Sequence, residues 1–373
     1  MPELRVAIAG LGAASKLVLP SFSSVEGVKL AAASDLRAEA RAKFTTTYGL
    51  PAYDDIAQLC AAPDIDAVWI ETPNHLHCEH AILAASHGKH VICAKPLATT
   101  LDECDRMIAA AKENGVRLLV GHSKVLDTPV AAMADIVKSG RLGRAIQIDT
   151  LLYNDWLRRP RLAEELDENL GAGFILRQAP HLIDIASAIM GARPTQVRAL
   201  TGSWDDKMPT AGNCAALVQY EGGAFANISL NGYGYFDSSE LTFGIGSMGD
   251  ARAAGAKPKS RGTPLSAAEK YAAASETRER GPAQPFFGLT IVSCERGVIR
   301  QSPSGLLVYT DDGCEEISLP PPKGRAAELI ELLDALRENR DVFPNGAFGK
   351  QTLAVCLAIL RSAREGRDVA LQG

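Results

Sequence analysis

The chain has 373 residues, long enough for two domains with sizeable cores, and its 39 basic and 44 acidic residues leave a formal charge of −5. That balance, with no dense basic stripe, argues against a nucleic-acid surface, and no apolar run is long enough to span a bilayer. With no basic-then-apolar leader and eight scattered cysteines lacking a Cys-x-x-Cys pair, the expectation is a soluble, cytoplasmic protein with reduced, packed thiols and no metal site.

The first element is a strand, Arg5-Val6-Ala7-Ile8-Ala9, that stops at Gly10-Leu11-Gly12-Ala13-Ala14-Ser15. Gly10 suits a tight turn and Gly12 a close approach of a diphosphate to the main chain. A helix following the glycines would turn free N–H groups, beginning at Ala13 and Ala14, toward that diphosphate. The usual pattern ends in Gly or Ala, and this chain has Ser15. A second strand, Val28–Ala33, ends in Asp35 about 20 residues on, the context a dinucleotide site requires. The Asp35 carboxylate suits the ribose hydroxyls of NAD; Arg37 could instead hold the extra phosphate of NADP, so NAD is the expected cofactor and NADP the alternative.

Up to about His122, short apolar runs alternate with helical patterns, as in a doubly wound parallel sheet. Helices are expected over Leu36–Tyr48, Asp54–Ala61, His77–His87 and Thr100–Asn114, and strands over Ala67–Glu71, His90–Cys93 and Arg117–Val120. These give five strands, with a sixth left unplaced, and ligands lie beyond the carboxyl ends of such strands. Three loops there carry unusual residues: Glu71-Thr72-Pro73-Asn74-His75-Leu76-His77, Ala94-Lys95-Pro96-Leu97 and Gly121-His122-Ser123. Composition alone fits an ordinary strand-to-helix loop for the first equally well. Lys95, directly after a buried strand, needs a partner for its ammonium and so marks a site, although a snorkelling surface lysine would look the same.

In the order Gly-x-Gly, Thr-Pro-Asn-x-x-His and Lys-Pro, the chain resembles the glucose–fructose oxidoreductase / inositol dehydrogenase / rhizopine-catabolism (Gfo/Idh/MocA) family. The resemblance implies a Rossmann domain over 1–123, with Thr72, Pro73, Asn74, His77, Lys95, Pro96 and His122 at the cofactor. It gives Lys95 a contact with both nicotinamide ribose and substrate. Members usually have Glu-Lys-Pro at the third loop, where this chain has Ala94, so a carboxylate is missing there.

After His122 the texture changes, and a second α+β domain is expected over 124–373. Pro129–Ser139 reads as a helix. Ala145–Tyr153, Gln196–Thr201, Cys214–Tyr220, Ala224–Leu230, Glu240–Phe243, Leu289–Cys294 and Leu306–Tyr309 read as strands of a large, mainly antiparallel open sheet. The family resemblance implies that the open face pairs subunits as a dimer or tetramer. Residues 250–285 read as an exposed insertion, and Ala326–Glu338 and Gly349–Arg364 as closing helices, the last of them packing back on the first domain.

Gly171 to Gly191 contains an apolar helix on which Arg177, His181 and Asp184 share one face. A family motif Asp-x-x-x-His-x-x-Asp matches here at His181 and Asp184, while its first Asp is Arg177. The resemblance makes His181, with Lys95, the proton-handling group, and Asp184 could orient its ring. Arg177 inverts a charge and suits an anionic substrate, an internal ion pair being the alternative. Tyr153-Asn154-Asp155-Trp156-Leu157-Arg158-Arg159-Pro160-Arg161 follows a strand and offers Asn154, Trp156 and the three arginines Arg158, Arg159 and Arg161 to a flat acidic ring. A basic subunit or cofactor-phosphate contact is the alternative. This segment, with Thr201–Asp205, Asn231–Asp237 and Ile291–Arg296, is similar to the phthalate 4,5-cis-dihydrodiol dehydrogenase branch of the family. The expectation is thus NAD-dependent oxidation of a ring alcohol, a carboxylated cis-dihydrodiol of aromatic catabolism. The alternatives are a sugar, inositol or glycoside dehydrogenase, or a non-catalytic NAD-binding sensor.

Overall fold

The computed structural model describes residues 3–168, 172–255 and 281–371. Two units emerge: Met1–Ser123 with Gly324–Leu353, and Lys124–Lys323 with Ala354–Gly373. Most of the insertion read over 250–285 lies outside the described residues.

The first unit begins with β1 (Leu4–Ala9), α1 (Ser15–Val18), β2 (Val28–Ser34), α2 (Ala38–Tyr48), β3 (Ala52–Tyr53), α3 (Ile56–Ala61) and β4 (Ala67–Ile70). It continues with α4 (His77–Ser86), β5 (His90–Ala94), α5 (Leu101–Glu113) and β6 (Leu118–Gly121). The strands form one parallel sheet in the order β3-β2-β1-β4-β5-β6. The order reverses between β1 and β4, which opens a crevice at the carboxyl ends of the strands. The sixth strand is β3, whose two residues give no periodicity to detect. Thr100 caps α5 with a reciprocal box: its hydroxyl accepts from Glu103 N while the Glu103 carboxylate accepts from Thr100 N. The helix after the glycine loop is shorter than expected. α1 is a single turn, and Pro20 and the serines after it carry the chain into a 3₁₀ segment over Leu19–Ser24.

The second unit contains α6 (Thr128–Lys138), β7 (Ala145–Tyr153), α7 (Gly173–Met190), β8 (Pro194–Gly202), β9 (Asn213–Tyr220) and β10 (Phe225–Asn231). Four strands of a meander follow: β11 (Leu289–Cys294), β12 (Gly297–Gln301), β13 (Gly305–Thr310) and β14 (Gly313–Ser318). After α8 (Ala326–Arg337) and α9 (Gly346–Glu365), the short β15 (Val369–Ala370) completes a nine-stranded sheet, β14-β13-β12-β11-β7-β10-β9-β8-β15. All its pairings are antiparallel except β7 with β10. Along β9, Cys214, Ala216, Val218 and Tyr220 are buried while Ala215, Leu217 and Gln219 are exposed, the alternation of a sheet covered on one face. α7 supplies that cover with Phe174, Ile175, Leu182 and Ile183, all fully buried in one core with Val218 and Val292.

One expectation needs correction. Glu240–Phe243 is not a strand: Ser238–Leu241 is a 3₁₀ turn whose first residues are held by Asp237 Oδ1 accepting from Ser239 N at 2.9 Å. Short polar side chains bonding their own backbone compete with a ladder, and Phe243 at φ 59° ends the segment. The last helix does reach the first unit: in α9 Gly349 faces Val120 and Leu97, Phe348 meets His122, and the division between units falls inside it. α8 joins that unit through Leu329, Leu332 and Leu333, which share a core with Val6, Ile8 and Trp69.

Candidate active site

In the first unit the glycine loop is built around contacts that exclude a side chain. Gly10 has φ +97°, and a Cβ there would lie 2.8 Å from the carbonyl oxygen of Glu71. Gly12 faces open space, leaving its main chain accessible, and Ala13 and Ala14 are exposed. Ser15 is buried, its hydroxyl donating to Gly12 O at 2.8 Å, so the larger residue is absorbed by a bond within the turn. Asp35 Oδ2 accepts from Leu11 N at 2.8 Å, and Oδ1 from Arg37 N and Nε at 2.9 and 3.0 Å. Arg37 Nη2 reaches back to Leu11 O at 3.0 Å. Burial alone would raise the Asp35 pKa, but the bonds from Arg37 and Leu11 outweigh it and hold the carboxyl below its ordinary value. Acid and base are therefore not rivals for a ribose: they are one ion pair that braces the glycine loop.

His77 is fully buried, with Nδ1 at 2.8 Å from Pro96 O and Nε2 at 2.9 Å from Thr72 O. It straps the second loop to the third. His122 is likewise interior, 1% exposed, with its ring edge-on to Phe348. Pro73 is exposed, Asn74 opens a 3₁₀ turn, and the Thr72 hydroxyl pairs with His80 Nδ1 at 2.9 Å. Lys95 is half-buried and precedes Pro96 through a cis bond.

In the second unit Arg177 and His181 lie on α7, both half-buried. The His181 ring packs on Phe287 at 4.5 Å between centroids. Lys124 approaches the same Phe287 at 5.7 Å while bonding Asp127 at 2.7 Å and Ser247 O at 3.1 Å. That ammonium, one residue beyond the Gly121-His122-Ser123 stretch, was not singled out by sequence. Asp184 is fully buried. Burial, helped by the nearby Asp184, pushes the pKa of Tyr220, whose hydroxyl pairs with Ser187, up to about 12.

The Asn154–Arg161 run closes on α7 through Asn154 Nδ2, which donates to Gln178 Oε1 at 3.0 Å. Trp156 is 4% exposed, lies 5.6 Å from Phe174 and is covered on its ring by Arg161 at 3.9 Å. It is a platform for a guanidinium and cannot stack on a substrate. Arg159 is taken by Asp155, with Nε to Oδ1 at 2.8 Å. Arg158 is buried, donates to Tyr233 O at 2.7 Å and stacks on Tyr235 at 4.4 Å. Gly234 makes this possible, since a Cβ there would lie 2.8 Å from Arg158 Cδ. Of the three arginines in this segment, Arg161 is the one that lies beside Arg177. Its guanidinium donates to Trp156 O at 3.1 Å and shares buried Glu165 with Arg177, whose Nη2 lies 3.6 Å from Glu165 Oε1. Burial, with Arg159 and Arg177 nearby, pushes the Arg161 pKa down to about 10 despite Glu165 and Asp155. Arg177 is lowered for the same first reason, burial, against Glu165. Among the described residues, Arg159 and Arg177 therefore lie near Arg161 together with Glu165 and Asp155.

A Gly-x-Gly turn, an acid closing the second strand and a 3-2-1-4-5-6 sheet define an NAD-binding Rossmann oxidoreductase. Residues 4–122 match the model of the "Oxidoreductase family, NAD-binding Rossmann fold", and residues 130–246 that of the "GFO/IDH/MocA C-terminal domain". The chain belongs to the Gfo/Idh/MocA family of NAD(P)-dependent dehydrogenases and reductases. A 1-carboxy-3-chloro-3,4-dihydroxycyclohexa-1,5-diene dehydrogenase of Comamonas testosteroni is 32% identical, the alignment covering 97% of this chain and 95% of that one. A solved structure from Bordetella bronchiseptica RB50 superposes with a TM-score of 0.88 at 36% identity, covering 99% of this chain and all of that one. A levoglucosan dehydrogenase complexed with NADH and levoglucosan shares the fold, with a TM-score of 0.77, at 20% identity over 99% of this chain and 100% of that one. Among the described residues no helix is long and apolar enough to cross a membrane.

Proposed function

We propose that this dehydrogenase oxidises a secondary alcohol on a ring that bears a carboxylate, a carboxylated cis-dihydrodiol. The observation that supports the reading is the half-buried group of guanidiniums, Arg159, Arg161 and Arg177, gathered around Glu165 and Asp155. Neutral sugars offer nothing to that charge, whereas a carboxylate matches a guanidinium fork with two parallel hydrogen bonds. The relative from Comamonas testosteroni, named for a carboxylated dihydroxycyclohexadiene, supports the same class.

Gly10, Gly12, Ala13 and Ala14 would hold the NAD diphosphate, Asp35 the adenosine ribose, and Thr72, Pro73, Asn74, Lys95 and Pro96 the nicotinamide half. NAD, when bound, supplies the hydride acceptor. Lys95 and His181 take the hydroxyl proton as the carbinol C–H leaves as hydride, so the diol loses one hydride and one proton. The resulting hydroxyketone enolises to an aromatic diol, which draws the reaction forward. Arg161 and Arg177 hold the carboxylate, with Asn154 fixing the loop. The open sheet face, with Leu200 66% and Leu217 36% exposed, joins copies of the chain into a homo-oligomer.

The test is reduced-nicotinamide formation with NAD and NADP across carboxylated cis-dihydrodiols, their uncharged counterparts, inositols and glycosides. Turnover confined to the anionic diols supports the reading; preference for neutral polyols makes Arg161–Glu165–Arg177 an internal ion cluster. NAD binding without turnover of any of them makes the protein a sensor.

A further inference from the structure

The second unit carries two opposite charges on the uncovered face of its sheet. Side chains alternate faces along a strand, and Ile148, Ile228, Val292, Ile299 and Val308 lie in the core, so the residues next to them stand on the open side. The register places Leu307, Arg300, Ile291, Asp149, Asn227 and Leu217 in one row across β13, β12, β11, β7, β10 and β9. Arg300 and Asp149 are both half-buried. They stand one strand to either side of Ile291, about 10 Å apart at the strand spacing of a sheet.

Among the described residues neither meets an opposite charge. The Asp149 carboxylate accepts from two neutral amides, Asn227 Nδ2 at 2.6 Å and Gln147 Nε2 at 2.8 Å. These bonds fix the carboxylate but leave its charge whole. Arg300 lies over the Phe243 ring at 5.1 Å, and its buried Nε has no hydrogen-bond partner among the described residues. A partly desolvated guanidinium with an unused donor is costly unless an acceptor reaches it from outside the chain.

A cation and an anion equally spaced about one apolar residue are self-complementary. Consider two such sheets packed face to face, with a two-fold axis along β11 over Ile291. The axis carries Arg300 over the partner's Asp149, and Asp149 over the partner's Arg300. A foreign partner would have to supply both charges at this spacing; a second copy of the chain supplies them by symmetry. We propose that a reciprocal Arg300–Asp149 ion pair joins two copies of this chain across the open face and fixes the register of a two-fold dimer. This rests on the reading that the open face joins copies, and adds which residues choose the alignment.

The test mixes two variants of the full chain. Arg300→Glu sets a carboxylate against the partner's Asp149, and Asp149→Arg sets a guanidinium against the partner's Arg300, twice per dimer in each case. Each variant alone is expected to raise the dimer Kd at least about 100-fold in sedimentation equilibrium. Mixed in equal amounts, the two chains form both ion pairs again, so native mass spectrometry is expected to show a heterodimer within about 10-fold of the wild-type Kd. Far-UV circular dichroism checks that each chain folds. If Asp149→Arg does not, Asp149→Asn replaces it and is expected to pair with Arg300→Glu more tightly than Arg300→Glu pairs with itself. A wild-type Kd in Arg300→Glu, or a mixture that does not recover, overturns the proposal. Leu217→Glu, in the same row, separates the two readings. A dimer lost in Leu217→Glu but not in Arg300→Glu leaves the open-face reading standing and refutes the ion pair. A dimer indifferent to both, or a monomeric wild type, refutes the open face as well.

Discussion

The molecule carries two arginine–carboxylate clusters of contrasting burial. In the first unit the carboxylates of Glu71 and Glu328 surround Arg325, and both are dry. In the second unit Arg159, Arg161 and Arg177 gather near Glu165 and Asp155, with Arg177 29% and Arg159 42% exposed at the side chain. A dry charge must be met from within the protein, because a missing counter-charge destabilises the fold itself. A half-open one can wait for a ligand, because water screens it until the ligand arrives. One cluster is therefore read as architecture and the other as recognition.

The largest effect should come from Arg325→Met, which takes the guanidinium from two buried carboxylates and is expected to cost about 3 kcal/mol in urea melts. Burial already holds the Glu71 pKa above its ordinary value, against the pull of Arg325. An acid raised on folding contributes stability present below its unfolded pKa, about 4.3, and lost as pH rises through the folded value. The deficit of Arg325→Met should accordingly grow from pH 4 to pH 8, and a pH-independent deficit would mean that the carboxylates are not the cause.

For the second cluster, Arg177→Met is expected to raise KM for a carboxylated diol about 100-fold, roughly 2.7 kcal/mol, with KM for an uncharged diol unchanged. Pairing it with Glu165→Gln removes the stranded carboxylate and separates lost recognition from local damage. Arg161→Lys keeps the charge but loses the planar fork and its stacking on Trp156, so a KM increase of about 10-fold is expected. Equal rises for charged and uncharged diols would place both arginines in the architecture.

The Asp35–Arg37 pair offers a smaller contrast. Asp35→Ala should weaken NAD about 10-fold while freeing Arg37 for a phosphate, so the NAD-to-NADP ratio of kcat/KM falls. An unchanged ratio would confine the pair to bracing the loop. Smallest of all, Ser15→Ala removes only the bond to Gly12 O and should change the NAD Kd by less than about five-fold.

Short-range patterns carried much of this molecule. Gly10, Gly12 and Asp35 were legible because a turn, a close approach and a strand end each demand a residue type within one local segment. The parallel strands were legible as continuous apolar runs, and β7 to β10 as period-2 alternation. β14 was not, because Gly313, Cys314, Glu315, Glu316 and Ser318 are exposed and carry no alternating burial. The candidate site was only half legible. Sequence nominated Trp156 and Arg159 by type, but Phe174 and Arg161 cover the indole and Asp155 takes the guanidinium. Arg325 and Glu328 stand at i, i+3, a spacing common on exposed helices, so nothing local marks Glu328 as buried.

By itself the sequence determined the local chemistry: which backbone turns, which acid closes the second strand, which helix carries Arg177 and His181. Tertiary structure alone decided which charges share a neighbour. Glu328 meets Gly121 across more than half the chain, and Coulomb energy depends on that distance in space and on the water excluded from it.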